Sequence, residues 1–193
     1  MTITSLLLAG GGSTRMGEDK ASLMLGGQTV LNRIAQELRQ VTPSMIVNSN
    51  ETRKGYEVKG DLFQDAGPLG GLHAGMYEES ADWFIVSACD TPFIQKAVYH
   101  YLLEQRTEAP QAIIPVYQGR HQPLSGIYHK SVFEPLGSLL SEGERKMTRL
   151  FGDISVMYVD TFTGLSSTLL ERHFFNMNTP EEYRQAEKMV KTF

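Results

Sequence analysis

Cysteine is almost absent from this chain: there is one, Cys89, in 193 residues. A single thiol excludes an intrachain disulfide and a cysteine-rich zinc site. Basic charge is not in excess either. Lys and Arg number 18 against 22 Asp and Glu, a net charge of −4, which argues against a general nucleic-acid binder. Any anionic ligand must therefore be drawn by a local cluster of cations. Long hydrophobic runs are missing too, and none approaches the ~20 residues of a membrane helix. The first residues enter an apolar segment with no basic stretch ahead of them. No signal peptide is evident, no membrane association is expected, and the cytoplasm is the expected compartment. Aromatic residues scatter at core spacings and form no base-stacking run. No repeat, low-complexity tract or linker interrupts the sequence. What remains is ordinary, at 41% hydrophobic and 21% charged. The length suits one domain, residues 1–193, with a continuous core.

Strand-like and helix-like patterns alternate along the chain. Residues 3–9 read as a buried strand. Over 29–41, Val30, Leu31, Ile34, Ala35, Leu38 and Val41 recur at helical spacing, with Thr29 as N-cap. MIVN at 45–48 reads as a strand, 56–64 as a short extended segment, and GPLGGLHAGMYEE at 67–79 as a turn into a helix. WFIVSAC at 83–89 is the clearest central strand, followed by a helical pattern over 95–106. AIIPVY at 112–117 is extended, and PLSGIY at 123–128 is placed to pair with it across GRHQ. Helical stretches follow near 130–141 and 144–151, then the strand SVMYV at 155–159. DTFTGLSSTLLERH reads as a polar loop without clear periodicity. Thr179, Pro180 and Glu182 sign the start of a last helix, with a capping box. This alternation predicts an α/β fold: a three-layer α/β/α arrangement around a mostly parallel, Rossmann-like sheet. Ligands of such sheets bind at the carboxyl ends of the strands. Function is therefore expected just after strands, at 8–20, Asn48, Asp65, Asp90 and near Asn176.

The segment LLLAGGGSTRMGEDK, Leu6 to Lys20, is the most informative. An apolar run breaks into glycines, whose backbone N–H groups can approach a polyphosphate closely. Two common phosphate loops do not fit. A Walker loop needs a glycine before its lysine and Ser or Thr after it, whereas Asp19 and Ala21 flank Lys20. The dinucleotide fingerprint needs a third glycine where Arg15 stands. The loop is of a third kind, with its own cations. Gly10 and Gly11 would supply backbone contacts. Arg15 offers a planar fork for phosphate oxygens and Lys20 a compact point charge. Both would stabilise charge developing on a phosphoryl group in transfer, which makes them catalytic candidates.

Other strand-end residues complete a polyphosphate site. Asp90, directly after WFIVSAC, is a candidate Mg²⁺ ligand. That ion accepts one carboxylate and fills its shell with phosphate and water oxygens. Asp65, at the end of LFQD, could accept from a base or ribose, and the nearby Asp61 competes for that role. Asn48 could read a nucleobase edge. Asn176 and Asn178, ahead of the last helix, could bind a phosphorylated acceptor. Arg120 and His121 could contact the second substrate, with Arg145 and Lys146 a weaker basic pair. Cys89 and His73 read as structural, and no Ser-His-Asp arrangement stands out.

The ordered set LAGGGSTRMG-ED-K, IVNSN, D-x-GPLGGL, SACDTPF and NMNTPEE closely resembles the molybdenum cofactor guanylyltransferase family, within the larger group of nucleotidyltransferases. The resemblance spans nearly the whole chain and implies a fold of the nucleotide-diphospho-sugar transferase type. It further implies GMP transfer from GTP to molybdenum-molybdopterin, with Mg²⁺ as cofactor and pyrophosphate as leaving group. In that family the residues matching Leu8, Ala9, Gly10, Lys20, Asn48, Asp65 and Asp90 contact the nucleotide. The residue matching Asp90 also holds the metal. Protein partners implied are molybdenum cofactor biosynthesis proteins and molybdoenzyme chaperones that deliver or receive the pterin.

Overall fold

The computed structural model describes residues 1–10, 19–107 and 109–191. Its ten strands are β1 (Ile3–Leu8), β2 (Met24–Leu25), β3 (Gln28–Thr29), β4 (Met45–Asn48), β5 (Glu57–Lys59), β6 (Trp83–Ala88), β7 (Ala112–Tyr117), β8 (Arg120–His121), β9 (Ile127–His129) and β10 (Val156–Val159). The helices are α1 (Val30–Leu38), α2 (Gly67–Met76), α3 (Lys96–Glu104), α4 (Phe133–Ser141), α5 (Met147–Leu150), α6 (Ser167–His173) and α7 (Pro180–Lys191).

One sheet runs in the order β10-β7-β9-β6-β1-β4-β5, with β8 added on β7. Neighbours β5, β4, β1 and β6 are parallel, as are β7 and β10. Only β9 in that path runs against its neighbours. The sheet is therefore mostly parallel, as expected.

Its central strands are apolar on both faces because helices cover both. Consecutive side chains of a strand point to opposite faces, and the leucines of β1 show it. Leu7 joins the core under α1 and α3, with Ile34, Ile85 and Leu102. Leu6 and Leu8 join the core under α2 and α4, with Leu72, Val86 and Leu136. Each fully buried leucine of this kind contributes about 2 kcal/mol through area removed from water. Helix α1 starts where Thr29 accepts from the Asn32 N–H at 3.1 Å, so the anticipated cap is present. Helix α2 reaches the sheet through glycine. A Cβ at Gly75 would lie 2.3 Å from Leu6 Cδ1, and one at Gly71 would lie 2.5 Å from Asn48 Oδ1.

Two expectations need correction. The stretch DTFTGLSSTLLERH is not a loop throughout, since α6 occupies its second half. The Ser166 side chain caps that helix by accepting from the Leu169 N–H at 3.2 Å, and His173 is fully buried at its end. A short helix with few apolar positions shows no period, so burial at its end and a serine cap define it. PLSGIY also divides. Pro123–Ser125 form a 3₁₀ turn, and pairing with β7 begins only at Ile127. Gln122 donates its N–H to the Pro115 carbonyl at 2.8 Å.

Candidate functional site

The register of three parallel strands brings the expected residues together. Leu8, at the end of β1, stands opposite Asn48 of β4 and Ala88 of β6. The Ala9 N–H donates to the Asn48 carbonyl at 2.9 Å, and the Cys89 N–H to the Leu8 carbonyl at 3.2 Å. Above these strand ends lies a cavity of about 550 Å³. Leu8, Ala9, Gly10, Lys20, Asn48, Asp61, Asp65 and Asp90 all line it.

Lys20 enters from a 3₁₀ turn, Lys20–Ser22. Asp19 caps that turn, accepting from the Ala21 N–H at 3.1 Å and the Ser22 hydroxyl at 2.7 Å. Arg53, from the loop after β4, donates to the same carboxylate at 2.7 Å. Burial alone would raise the Asp19 pKa, but its bonds to Ser22, Arg53 and Ala21 outweigh that and lower it. The turn is thus anchored as an anion pinned by a guanidinium. Lys20 Nζ donates to Asn178 Oδ1 at 2.6 Å.

Asp90 sits where β6 gives way to a turn. Thr91 closes the turn by donating its hydroxyl to the Ala88 carbonyl at 3.0 Å. Neighbouring atoms crowd the Asp90 carboxyl and raise its pKa by desolvation, while the Lys20 charge and its own backbone N–H pull the other way. Among the described residues no group of three or more His, Cys, Asp or Glu could hold a metal ion alone. A cation at Asp90 would need oxygens from a ligand. That matches Mg²⁺ bound through one carboxylate and substrate phosphates.

On the β4–β5 side the polar groups are set for a different task. Asn48 is buried, and its amide donates to the Lys59 carbonyl at 3.1 Å and to Asp61 at 2.9 Å. Asn50 donates to the other Asp61 oxygen at 3.2 Å and accepts from the Asp61 N–H at 2.8 Å. Asp61 is therefore held in one orientation at the cavity wall. Asp65 has a φ of 52° and Gly67 one of 58°, so the chain turns sharply into α2 there. Aspartate tolerates that left-handed conformation better than most residues. The turn aims the N-terminal end of α2 at the cavity, where Ala66, Gly67 and Pro68 line it.

The remaining candidates scatter. Arg120 and His121 are exposed on the β7–β8 hairpin, where His121 stacks on Tyr158 at 4.4 Å between ring centres. Neither belongs to the cavity lining. Asn178 reaches the cavity through Lys20. Asn176 donates to the Phe174 carbonyl at 3.3 Å. Arg145 turns back to the Leu140 and Glu144 carbonyls. Gly11 and Arg15 lie outside the described residues. Cys89 is buried, and burial pushes its thiol pKa well up. His73 is stacked on Phe133 at 4.5 Å, and burial lowers its pKa. Sequence reasoning gave no role to Asn50, although it closes IVNSN, or to Arg53, which lies in no motif. It passed over Asp19, whose place beside Lys20 was the one signal available.

Comparison with known proteins narrows what such a site belongs to. The family model for the MobA-like NTP transferase domain matches residues 5–156. A Vibrio cholerae protein named molybdenum cofactor guanylyltransferase is 35% identical over 188 residues, which cover 93% of this chain and 89% of that one. Among solved structures, molybdopterin-guanine dinucleotide biosynthesis protein A from Archaeoglobus fulgidus superimposes with a TM-score of 0.85 at 24% identity, covering 98% of this chain and all of that one. The 2-C-methyl-D-erythritol 4-phosphate cytidylyltransferase from Thermus thermophilus shares the fold with a TM-score of 0.73 at 17% identity, covering 99% of this chain and 100% of that one.

Proposed function

We propose, from the premise that this chain belongs to the MobA-like NTP transferase family, that it transfers GMP from GTP to molybdenum-molybdopterin and releases pyrophosphate. The product is a molybdopterin guanine dinucleotide. The observation that carries the reading is one cavity with two chemically distinct sides. Asp90, with Lys20 acting on its charge, follows β6 on one side, Asn48 with Asp61 lies on the β4–β5 side, and the Leu8–Gly10 backbone at the end of β1 runs between them. A cation and backbone N–H groups suit a triphosphate. A carboxylate held beside an amide suits the donor edge of a guanine, which offers ring and exocyclic N–H groups. Asp61 fits that role better than Asp65, because both of its oxygens are already oriented.

The chemistry follows from this layout. A terminal phosphate oxygen of the acceptor attacks the α-phosphorus of GTP. A new phosphorus–oxygen bond forms, the bond from the α-phosphorus to the bridging oxygen breaks, and pyrophosphate leaves with that electron pair. A phosphate monoester is largely ionised at neutral pH, so no general base is needed. Lys20 holds the phosphate oxygens and stabilises charge that develops on them. Arg15, on the same loop by sequence, serves the same end. Asp90 would hold Mg²⁺, which bound there supplies positive charge to the phosphates. The cytoplasm is the compartment this substrate pair implies, and no helix among the described residues is long and apolar enough to cross a membrane.

Pyrophosphate release with molybdopterin and molybdate, compared across GTP, CTP, ATP and UTP with and without Mg²⁺, tests the reading. GTP should exceed every other nucleotide, and release should require the metal. A preference for CTP, or no release with any nucleotide, sinks the assignment.

A further inference from the structure

The two charged groups at the triphosphate side of the cavity are tied to the same short segment. The Met177 N–H donates to the Asp90 carbonyl at 2.7 Å. Its neighbour Asn178 accepts from Lys20 Nζ at 2.6 Å, across 158 residues of sequence. That segment is itself fixed. The Met177 side chain is fully buried. Glu182 accepts from the Asn178 N–H at 2.6 Å and from the Thr179 N–H at 2.9 Å. Thr179 Oγ1 accepts from the Glu182 N–H at 3.2 Å, which completes the capping box of α7. A rigid helix start therefore holds a strap, and the strap holds a cation and the backbone of a carboxylate.

The choice of acceptor is informative. A lysine ammonium only donates, so the amide oxygen must face it. An aspartate could accept the same bond, but it would offset the lysine charge and add a second anion near Asp90. The amide oxygen fixes the direction of the ammonium without itself neutralising it.

We propose that Asn178 is a positioning residue for Lys20. The Met177–Asn178 strap sets the lysine ammonium relative to Asp90 so that both meet the triphosphate. The side chain of Asn178 thereby serves the nucleotide half of the site and does not itself meet the acceptor. This inference rests on the cavity taking a nucleoside triphosphate, as proposed above.

A double-mutant cycle between Asn178→Ala and Lys20→Ala tests it, with GTP affinity measured in the presence of Mg²⁺ and the KM values for both substrates measured alongside. Asn178→Ala should weaken GTP binding roughly tenfold, the scale of one charge-assisted hydrogen bond. It should leave the KM for the pterin acceptor unchanged. The double variant should be no worse than Lys20→Ala alone, because the asparagine acts through the lysine. A merely structural role would not give that pattern. Thermal melts check folding, and Asn178→Ser, with a shorter acceptor, reads the same cycle should the alanine variant melt early. Losses that multiply in the double variant, or a loss confined to the acceptor KM, would overturn the inference while the proposed reaction stands. A wild-type chain that binds no nucleoside triphosphate would overturn both.

Discussion

At the amino ends of β1 and β6, charges cancel in pairs. Asp82 accepts from the Thr2 N–H at 2.9 Å and from Lys130 Nζ at 2.8 Å, and the chain's terminal ammonium lies 4.0 Å away. The bonds to Lys130 and Thr2 push the Asp82 pKa far below the usual carboxylate range. At the carboxyl ends of the same strands, charge is arranged differently. Asp90 is crowded enough that its pKa rises, and Lys20 leans on a neutral amide. One end of the sheet uses charge to fasten the chain start to the next strand, which exposed pairs do at small gain. The other end also holds one ion pair, Arg53 on Asp19, which anchors the turn that carries Lys20, but there Lys20 and Asp90 line a cavity. Charge that only fastens the chain and charge that lines the proposed site are thus separated along the length of two strands.

Substitutions can break or sharpen that contrast. The largest effect is expected from Asp90→Ala. Single-turnover pyrophosphate release at saturating GTP and Mg²⁺ should fall about a thousandfold or more, because charge at the phosphates goes unmet. Near-normal metal-dependent turnover would erase the distinction between the two ends.

Next comes acid sensitivity. His173 is fully buried, accepts from the Gln95 N–H at 2.9 Å, and has its pKa lowered to about 3, chiefly by burial. Its ordinary value is 6.5. Below that pH the unfolded chain gains a proton that the folded chain does not take up until about pH 3. Stability should therefore be unaffected above the ordinary value and should drop by about 1.4 kcal/mol per pH unit beneath it. Urea melts at pH 7 and pH 5 should show wild type losing about 2 kcal/mol more than His173→Gln. The Asp82 contribution, from a lowered carboxylate pKa, is lost only at lower pH, so the two windows separate. Equal slopes in both proteins would remove His173 as the source.

A smaller change is expected at Gly71. A Cβ there would meet Asn48 Oδ1 at 2.5 Å, and Asn48 cannot retreat without losing Asp61. Gly71→Ala should weaken GTP binding about tenfold, with overpacking costing about 1–3 kcal/mol of stability. Calorimetric titration and denaturant melts would read both, and unchanged affinity would show that Asn48 is not held where the nucleoside binds. The smallest effect belongs to Asp82→Asn. It should leave turnover at the wild-type level, and a clear loss would mean that the amino end of the sheet bears on catalysis after all.

Much of this was legible in the residues. MIVN and AIIPVY became β4 and β7 with the bounds expected, because short apolar runs between polar turns leave little choice of register. The capping box of α7 was equally plain. Helix α6 was not, because seven residues with two adjacent leucines carry no period, and its buried His173 declares itself only in three dimensions. The site shows the same division. Leu8, Asn48 and Asp90 sit at strand ends, so the parallel sheet gathers them by rule. Asn50 and Arg53 come from the loop after β4 and gain meaning only from what they touch. The residues favour Asp65 over Asp61, because how the chain bends before α2 is not written in them. The two amide donors on Asp61 are the ground for proposing it instead.

The strap at Met177 and Asn178 also bears on the order in which the protein comes together. A ribosome supplies Leu8 and Lys20 before Asp90, and Asp90 before the strap. Domains assemble as units during translation, yet here a lysine made early is held by an amide made 158 residues later. A growing chain could complete β1, β4 and β6 side by side and still lack the hold on its lysine. The bond from Asn178 thus comes after the strands it serves, and order of synthesis and order of assembly part company at this one contact.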